Sequence, residues 1–241
     1  MTVPTETRKQ QANPATAKGF PTAWLLGLIG VMVTGIWFVS RLFPGGTLAV
    51  LLGLSEKSAW YFTRSTGTVA YLLLAGSTIW GLLLSTKIIK ETVPAALSLA
   101  MHNILSWLAV AFTGLHGLAL LFDSYYAYGA KDLLIPFIGP YRPGAVGLGI
   151  LGFYLMVLTS ASFYWLKRLG QTWWRRLHYL TFAAFGLVTV HGLMAGTDSG
   201  DPGMRGLYLG SVLLVFFLTI FRILAGGDRR PASRRAERPA A

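Results

Sequence analysis

The sequence has no cysteine among its 241 residues. This absence excludes disulfides, iron–sulfur clusters and thiolate catalysis, and it also excludes the C-x-x-C-H attachment of a c-type haem. Histidine is scarce as well, with four residues in the whole chain. Any haem that this protein binds must therefore be held non-covalently, and its protein ligands must come from a very short list.

Charged residues are also few. They make up 12% of the chain, against about 25% in a typical soluble domain, while 54% of the residues are hydrophobic. This balance predicts an integral membrane protein whose partner is a lipid bilayer. The net charge is +12, but the basic residues flank apolar runs and are interpreted as topology signals. We therefore expect no binding of nucleic acid.

Six apolar runs predict an all-α, polytopic membrane protein built as a six-transmembrane-helix bundle. Each run is close to the roughly 20 residues that a membrane-spanning helix needs. The chain then divides into a cytoplasmic N-terminal tail (1–22), a transmembrane domain (23–225) and a basic, disordered cytoplasmic tail (226–241). The runs cover residues 23–43, 60–84, 94–121, 143–166, 177–195 and 206–224.

The lysine and arginine residues are distributed unevenly around these runs. Fifteen of the 21 fall in the N-terminal tail, the 85–93 and 167–176 loops and the end of the chain from Arg222 onward. Since basic residues are enriched in cytoplasmic loops, this pattern predicts that both termini are cytoplasmic. We expect the protein in a bacterial inner membrane.

The four histidines lie in two of the predicted helices. His102 and His116 are fourteen residues apart on the third run, and His178 and His191 are thirteen apart on the fifth. At 1.5 Å per residue each spacing is about 20 Å, less than the roughly 30 Å of a bilayer core. The two helices run in the same direction, so His102 and His178 are predicted near the cytoplasmic face and His116 and His191 near the outer face.

This arrangement favours metal binding over packing. A single histidine in a membrane helix is more often a hydrogen-bonded packing residue or a proton relay. Four histidines on two parallel helices at matching depths are instead what bis-axial ligation of two haems requires. On an ideal helix, a spacing of thirteen residues leaves the two rings roughly 140° apart. The fifth helix must therefore bend, tighten or use different side-chain rotamers, and Gly186 is the expected place of an irregularity.

The histidine pattern resembles a known family. Together with two shorter motifs, it is similar to the ferric reductase-like transmembrane domain of ferric reductases and NADPH oxidases, over about residues 58–200. It also resembles the haem membrane subunit that serves periplasmic methionine sulfoxide reductase, although that branch lacks an exact counterpart of the first histidine. The motifs are His102-x13-His116, Arg64-Ser65-Thr66-Gly67 and Trp174-Arg175-Arg176-Leu177-His178-x12-His191.

The resemblance implies a six-helix bundle with two b-type haems that carry electrons from the cytoplasm to the opposite face. His102 and His178 would bind the iron of the inner haem, and His116 and His191 that of the outer haem. Because no flavin- and NADPH-binding domain follows the last run, we expect a haem-dependent oxidoreductase component whose donor is a separate flavoprotein reductase or a quinol. A flavin would enter only through that partner. The acceptor would be a ferric chelate, oxygen or a periplasmic protein.

Arg64 is predicted close to the outer haem, where it would contact haem propionates or an anionic or oxygen-derived acceptor. The alternative is that its side chain snorkels to the membrane interface. Two other functions stay open from the sequence. One is a quinol-linked cytochrome b membrane-anchor subunit of a respiratory or periplasmic oxidoreductase, and the other is a haem-free membrane scaffold or transporter.

Overall fold

A computed structural model describes residues 34, 57–86, 88–89, 93–123 and 125–227 of the chain. These residues form helices and turns, and no strand occurs among them, which confirms the all-α expectation for this part of the chain. Two short 3-10 turns are formed by Leu120–Phe122 and Phe163–Trp165. The helices are α1 (Ser58–Thr86), α2 (Ala95–Ala119), α3 (Ala130–Leu134), α4 (Pro143–Ser162), α5 (Leu166–His178), α6 (Leu180–Ala195) and α7 (Pro202–Gly227).

Four stretches of the described chain are long and apolar enough to cross a membrane. Large apolar side chains on their surfaces are exposed, such as Phe216 (65%) and Leu224 (69%) on α7, as expected of helices that face lipid. The fold is therefore compatible with an integral membrane protein. The stretches are Ser58–Thr86, Ala95–Phe122, Pro143–Ala195 and Pro202–Ala225, and the third contains both the fourth and the fifth predicted runs.

Some of the predicted segments lie outside the described residues. These are the N-terminal tail (1–22), the first apolar run (23–43) apart from Thr34, and the C-terminal tail beyond Gly227. The last helix continues two residues into the segment that was predicted as a tail.

The helices pack as two antiparallel pairs. Helix α1 lies along α2, α4 lies along α6, and α7 packs against α1. The core where the pairs meet includes Tyr71 and Leu74 of α1, Ala109 of α2, Met156 of α4 and Phe185 of α6. The α2 helix and the α5–α6 segment, which carry the histidines, are not among the closely packed helix pairs.

The connection predicted at 167–176 is wrong in its conformation, since these residues belong to α5. The segment is strongly amphipathic, with apolar residues at helical spacing beside a basic face, and this pattern favours a helix at a membrane surface. Gly170 interrupts it with a φ of 74°, a left-handed conformation that glycine adopts readily.

The irregularity expected between His178 and His191 lies at Tyr179, not at Gly186. The Tyr179 amide is shared between the carbonyls of Arg175 and Arg176, both at 3.2 Å, which tightens the turn. Helix α6 then continues without interruption through Gly186. The tightening occurs directly after His178 because α5 ends there and a new helix begins at Leu180.

Candidate functional site

The structure brings the four histidines together as two pairs. The ring centres of His102 and His178 are 6.0 Å apart, with an angle of 75° between the ring planes. Those of His116 and His191 are 6.1 Å apart at 76°. The pairs are formed between α2 and the α5–α6 segment, in the combination that the predicted depths required. The pair between α2 and α5 and the pair between α2 and α6 thus have nearly the same geometry.

Backbone carbonyls orient three of the four imidazoles. The Nδ1 atom of His116 lies 2.9 Å from the carbonyl oxygen of Thr63, and that of His191 lies 2.9 Å from the carbonyl of Ala145. His102 Nδ1 is 3.1 Å from the carbonyl of Ser77. A carbonyl can only accept a hydrogen bond, so Nδ1 carries the proton and Nε2 keeps a free lone pair. Metal-ligating histidines characteristically have this arrangement.

Glycines lie against the same three rings. A Cβ atom at Gly67 would be 2.8 Å from Nδ1 of His116, and one at Gly149 would be 2.8 Å from Nδ1 of His191. A Cβ at Gly81 would be 3.0 Å from Cε1 of His102. Glycine is needed at these positions because each ring packs directly on the backbone of the neighbouring helix.

Helix α1 repeats one small unit at two levels. Thr63 and Gly67 face His116, and Ser77 and Gly81 face His102. The two units are fourteen residues apart, as are His102 and His116, because α1 and α2 are antiparallel. Sequence reasoning missed Thr63, Ser77 and Gly81 as parts of the site. The shared spacing of fourteen was the signal that could have found them.

His178 has a different environment. Its ring stacks on Trp174, with 5.1 Å between ring centres and an angle of 18°. The Nδ1 atom of His178 and the indole Nε1 of Trp174 are buried and have no hydrogen-bond partner within the part of the chain described above. Buried polar atoms are usually paired. Two such atoms beside one histidine pair indicate a place where a bound polar group would be stabilised.

Protein side chains fill the space between the two histidine pairs. Tyr71 is 3% exposed and Ala109 is fully buried, and both lie on their helices midway between the two levels. The Tyr71 hydroxyl is 2.6 Å from Ser211 Oγ and 3.3 Å from Thr189 Oγ1, while its ring stacks with Phe185. The pairs are therefore two separate sites joined by a packed core.

Arg64 follows Thr63, whose carbonyl contacts His116, and it forms an ion pair that the sequence did not predict. Its Nε donates to Asp198 Oδ2 at 2.6 Å, and its Nη2 contacts the other carboxylate oxygen. The guanidinium also lies 4.1 Å from the ring centre of Trp60. Its charge is thus matched within the protein, and the contact with a haem propionate or an acceptor stays a prediction.

The described residues contain no cluster of three or more histidine, cysteine, aspartate or glutamate side chains that could hold a metal ion. Each histidine pair offers two protein ligands, fewer than the three or four found in zinc sites. Such a pair suits a metal whose other ligands belong to the cofactor itself, as in haem.

Comparisons with protein-family models, curated proteins and solved structures find no match to this chain. The function is therefore argued from the geometry of the histidine pairs.

Proposed function

We propose that this chain is an integral membrane electron-transfer protein that holds two b-type haems, one at each histidine pair. In this proposal a bundle of six membrane-spanning helices carries electrons from a donor at the His102–His178 end to an acceptor at the His116–His191 end. The observation that carries the proposal is the matched geometry of the two pairs. In each pair, the two imidazoles are separated by a distance that would accommodate one iron ion between them. Three of the four imidazoles donate a hydrogen bond from Nδ1 to a backbone carbonyl.

The ring separations fit axial ligation. A metal–imidazole bond is about 2 Å long, and a ring nitrogen is about 1 Å from its ring centre, so two imidazoles that share a metal have centres about 6 Å apart. The distances of 6.0 and 6.1 Å meet this requirement. Edge-to-face contacts between rings also have centres about 4.5–7 Å apart, so the argument depends on the repetition of nearly the same distance and angle at two levels.

The surroundings of the pairs support the same assignment. His102 and His178 would bind the iron of one haem, and His116 and His191 that of the other. The buried Nδ1 of His178 and Nε1 of Trp174 would donate to polar groups of the first haem. A bound haem b supplies one-electron redox chemistry.

The protein's own contribution is positioning and exclusion of water. The carbonyls of Thr63, Ser77 and Ala145 fix the tautomer and orientation of three imidazoles, which keeps Nε2 available as a ligand. The buried core around Tyr71 separates the two sites and keeps water from the path between them. Ligation, spacing and polarity are the properties by which a protein sets a haem potential.

The direction of transfer in this proposal depends on charge. The basic residues of α5 and Arg222 of α7 lie at the His102–His178 end. At the other end, basic residues are accompanied by the described carboxylates, which are Asp123, Asp132, Asp198 and Asp201. With the basic end in the bacterial cytoplasm, as the positive-inside rule requires, the donor is a cytoplasmic flavoprotein reductase or a membrane quinol. The acceptor is a ferric chelate, oxygen or a periplasmic protein. This is the role of a ferric reductase-like transmembrane domain.

Haem content of the purified protein tests the proposal. Pyridine haemochrome analysis should give two haems b per chain, with spectra of low-spin, bis-histidine iron. His102→Ala and His178→Ala should each remove one and the same haem, and His116→Ala and His191→Ala the other. The matched control is Asn103→Ala, next to a proposed ligand on α2, which should keep both.

Two results would contradict the proposal. Wild-type protein that is folded but contains no haem would favour a scaffold or transporter. Loss patterns that group His102 with His191 would show that the pairs seen in the structure are not the ligand sets.

A further inference from the structure

Part of the connection between α2 and α4 packs beside α4, although the sequence predicts this connection outside the membrane-spanning helices. Helix α4 has 20 residues, so at 1.5 Å per residue it is about as long as the roughly 30 Å hydrocarbon core is thick. Its first residue, Pro143, must then lie close to the boundary of the hydrocarbon if the helix crosses the membrane. Anything that packs beside the first turns of α4 lies inside the membrane.

Two contacts place residues 134–137 beside those turns. The Tyr154 hydroxyl, three turns into α4, donates a hydrogen bond to the carbonyl of Leu134. The ring of Phe137 packs on Gly147, one turn into α4, where any Cβ atom would collide with it. The chain therefore descends along α4 through α3 and returns to the boundary before Pro143.

The side chains of residues 133–138 are apolar and partly exposed on the surface of the protein. Leu134, Ile135, Phe137 and Ile138 are each about half exposed, between 47% and 55%. A cluster of such residues on an aqueous loop would be a large exposed apolar patch, which soluble surfaces rarely carry. Beside a membrane-spanning helix the same side chains continue its lipid-facing surface.

Backbone polar groups in the first part of the segment are paired within the protein or absent. Tyr154 occupies the Leu134 carbonyl, the Ile135 amide donates to the Lys131 carbonyl at 2.8 Å, and Pro136 has no amide hydrogen. In lipid, every unpaired backbone group costs several kcal/mol, so irregular backbone is tolerated there when protein groups pair it. The left-handed conformation of Phe137, with φ at 70°, is uncommon for a bulky residue and is held by its packing on Gly147.

We propose that residues 130–138 form a re-entrant element at the His116–His191 end, with the exposed Lys131 at the membrane interface and residues 133–138 immersed in the leaflet, and that its partner is the acyl chains of the bilayer. The face of α4 that it covers, with Gly147 and Tyr154, is opposite the face that carries Ala145 and Gly149 toward His191. The element thus shields α4 on the lipid side. This inference depends on membrane insertion and not on haem binding.

The absence of cysteine makes the test direct, because single cysteines can be introduced without removing any. Ile135→Cys and Ile138→Cys probe the segment. Tyr125→Cys is the matched control, since Tyr125 is 84% exposed and belongs to the same connection, on the same side of the membrane. Full-length protein in phosphatidylcholine vesicles is treated with a charged, membrane-impermeant maleimide, and total thiol is measured after denaturation.

The control should label readily, and the two segment positions about 100-fold more slowly, because a charged reagent and a thiolate are both disfavoured in hydrocarbon. A bimane attached at residue 135 should be quenched by lipids that carry a mid-chain nitroxide and not by iodide, with the reverse at residue 125. Equal labelling rates would overturn the proposal. So would a bimane at residue 135 that iodide quenches, or that neither quencher reaches, since the segment would then face water or protein.

Discussion

At the scale of single residues, the glycines beside the histidine rings are the most exacting feature of the site. Gly67→Ala would place a methyl group 2.8 Å from His116 Nδ1. The ring cannot yield without losing its hydrogen bond to Thr63, so we expect a lower content of the haem proposed at the His116–His191 pair and a loss of stability of about 1–3 kcal/mol. Haem-to-protein ratio and thermal unfolding in detergent measure these effects.

Gly76→Ala is the matched control for that variant. Gly76 is on the same helix, and a Cβ there would meet nothing within 4 Å. The gain in helix propensity is the same in both variants, so any difference between them reports the contact with His116. If Gly67→Ala kept both haems with wild-type spectra, the tight packing of His116 on α1 would be refuted.

The Arg64–Asp198 ion pair makes a second prediction at this scale. Both side chains are about one-third exposed, so Asp198→Asn should cost less than about 1 kcal/mol of stability. It would, however, leave the Arg64 cation unmatched, one residue from the Thr63 carbonyl that orients His116. Since positive charge favours the reduced form of a redox centre, the midpoint potential of the haem proposed at the His116–His191 pair should rise, and Arg64→Gln should lower it.

A spectroscopic redox titration of each variant measures those shifts. Asp201→Asn is the control, because Asp201 lies in the same connection but caps the first turn of α7 through the amides of Gly203 and Met204. The midpoint potential of the haem proposed at the His116–His191 pair should stay closer to wild type in Asp201→Asn than in Asp198→Asn. Shifts of the same sign in Asp198→Asn and Arg64→Gln would argue against an electrostatic role for the pair.

At the scale of helices, Tyr71 joins three elements through one hydroxyl group. It lies on α1 and contacts Thr189 of α6 and Ser211 of α7. Tyr71→Phe would keep the ring packing and remove these hydrogen bonds, while Ser211 would still donate to the Tyr208 carbonyl at 2.9 Å. We therefore expect a loss of about 1 kcal/mol in unfolding free energy and retention of both haems.

Thermal unfolding of Tyr71→Phe beside Tyr61→Phe tests that expectation. Tyr61 is on the same helix but 55% exposed, so its hydroxyl should contribute little. Equal melting temperatures for the two variants would show that the buried hydroxyl does not stabilise the junction of α1, α6 and α7.

The sequence predicted these helices better than it predicted what connects them. The spacings of His102 to His116 and of His178 to His191 were enough to anticipate which rings meet, since depth in a helix follows directly from residue number. The carbonyls that orient the rings were not predictable from residue type, because any residue supplies a backbone acceptor; the only signal was the fourteen-residue spacing of Thr63 and Ser77. The pairing of Arg64 with Asp198 was also missed, as it joins residues 134 positions apart.

Amphipathic and short elements were the other source of error. Helix α5 was predicted as a loop because its basic residues were interpreted as topology signals alone, although their spacing also suits a surface helix. The element at 130–138 has too few residues for a periodic pattern, so its position against α4 could come only from tertiary contacts such as Tyr154 with Leu134.

At the scale of the whole molecule, the distribution of charge predicts a topology that can be measured. Alkaline phosphatase, which is active only outside the cytoplasm, should be active when fused after Ser199 and inactive when fused after Gly227. These sites lie on either side of α7, a single apolar helix, so the contrast tests one crossing. The opposite pattern would reverse the donor and acceptor ends of the proposed pathway.

The way α2 faces the α5–α6 segment has a consequence for how the protein matures. These elements meet through paired imidazoles and not through close helix packing. Much of what joins them would therefore come from the proposed haem irons, each bound by one histidine from either side. Cofactor insertion would then be a late assembly step that locks two preformed helical hairpins together. In chains that fail to acquire the cofactor, the two hairpins would remain loosely joined and accessible to membrane proteases. Cells starved of haem precursors should therefore accumulate less of the protein at unchanged rates of synthesis.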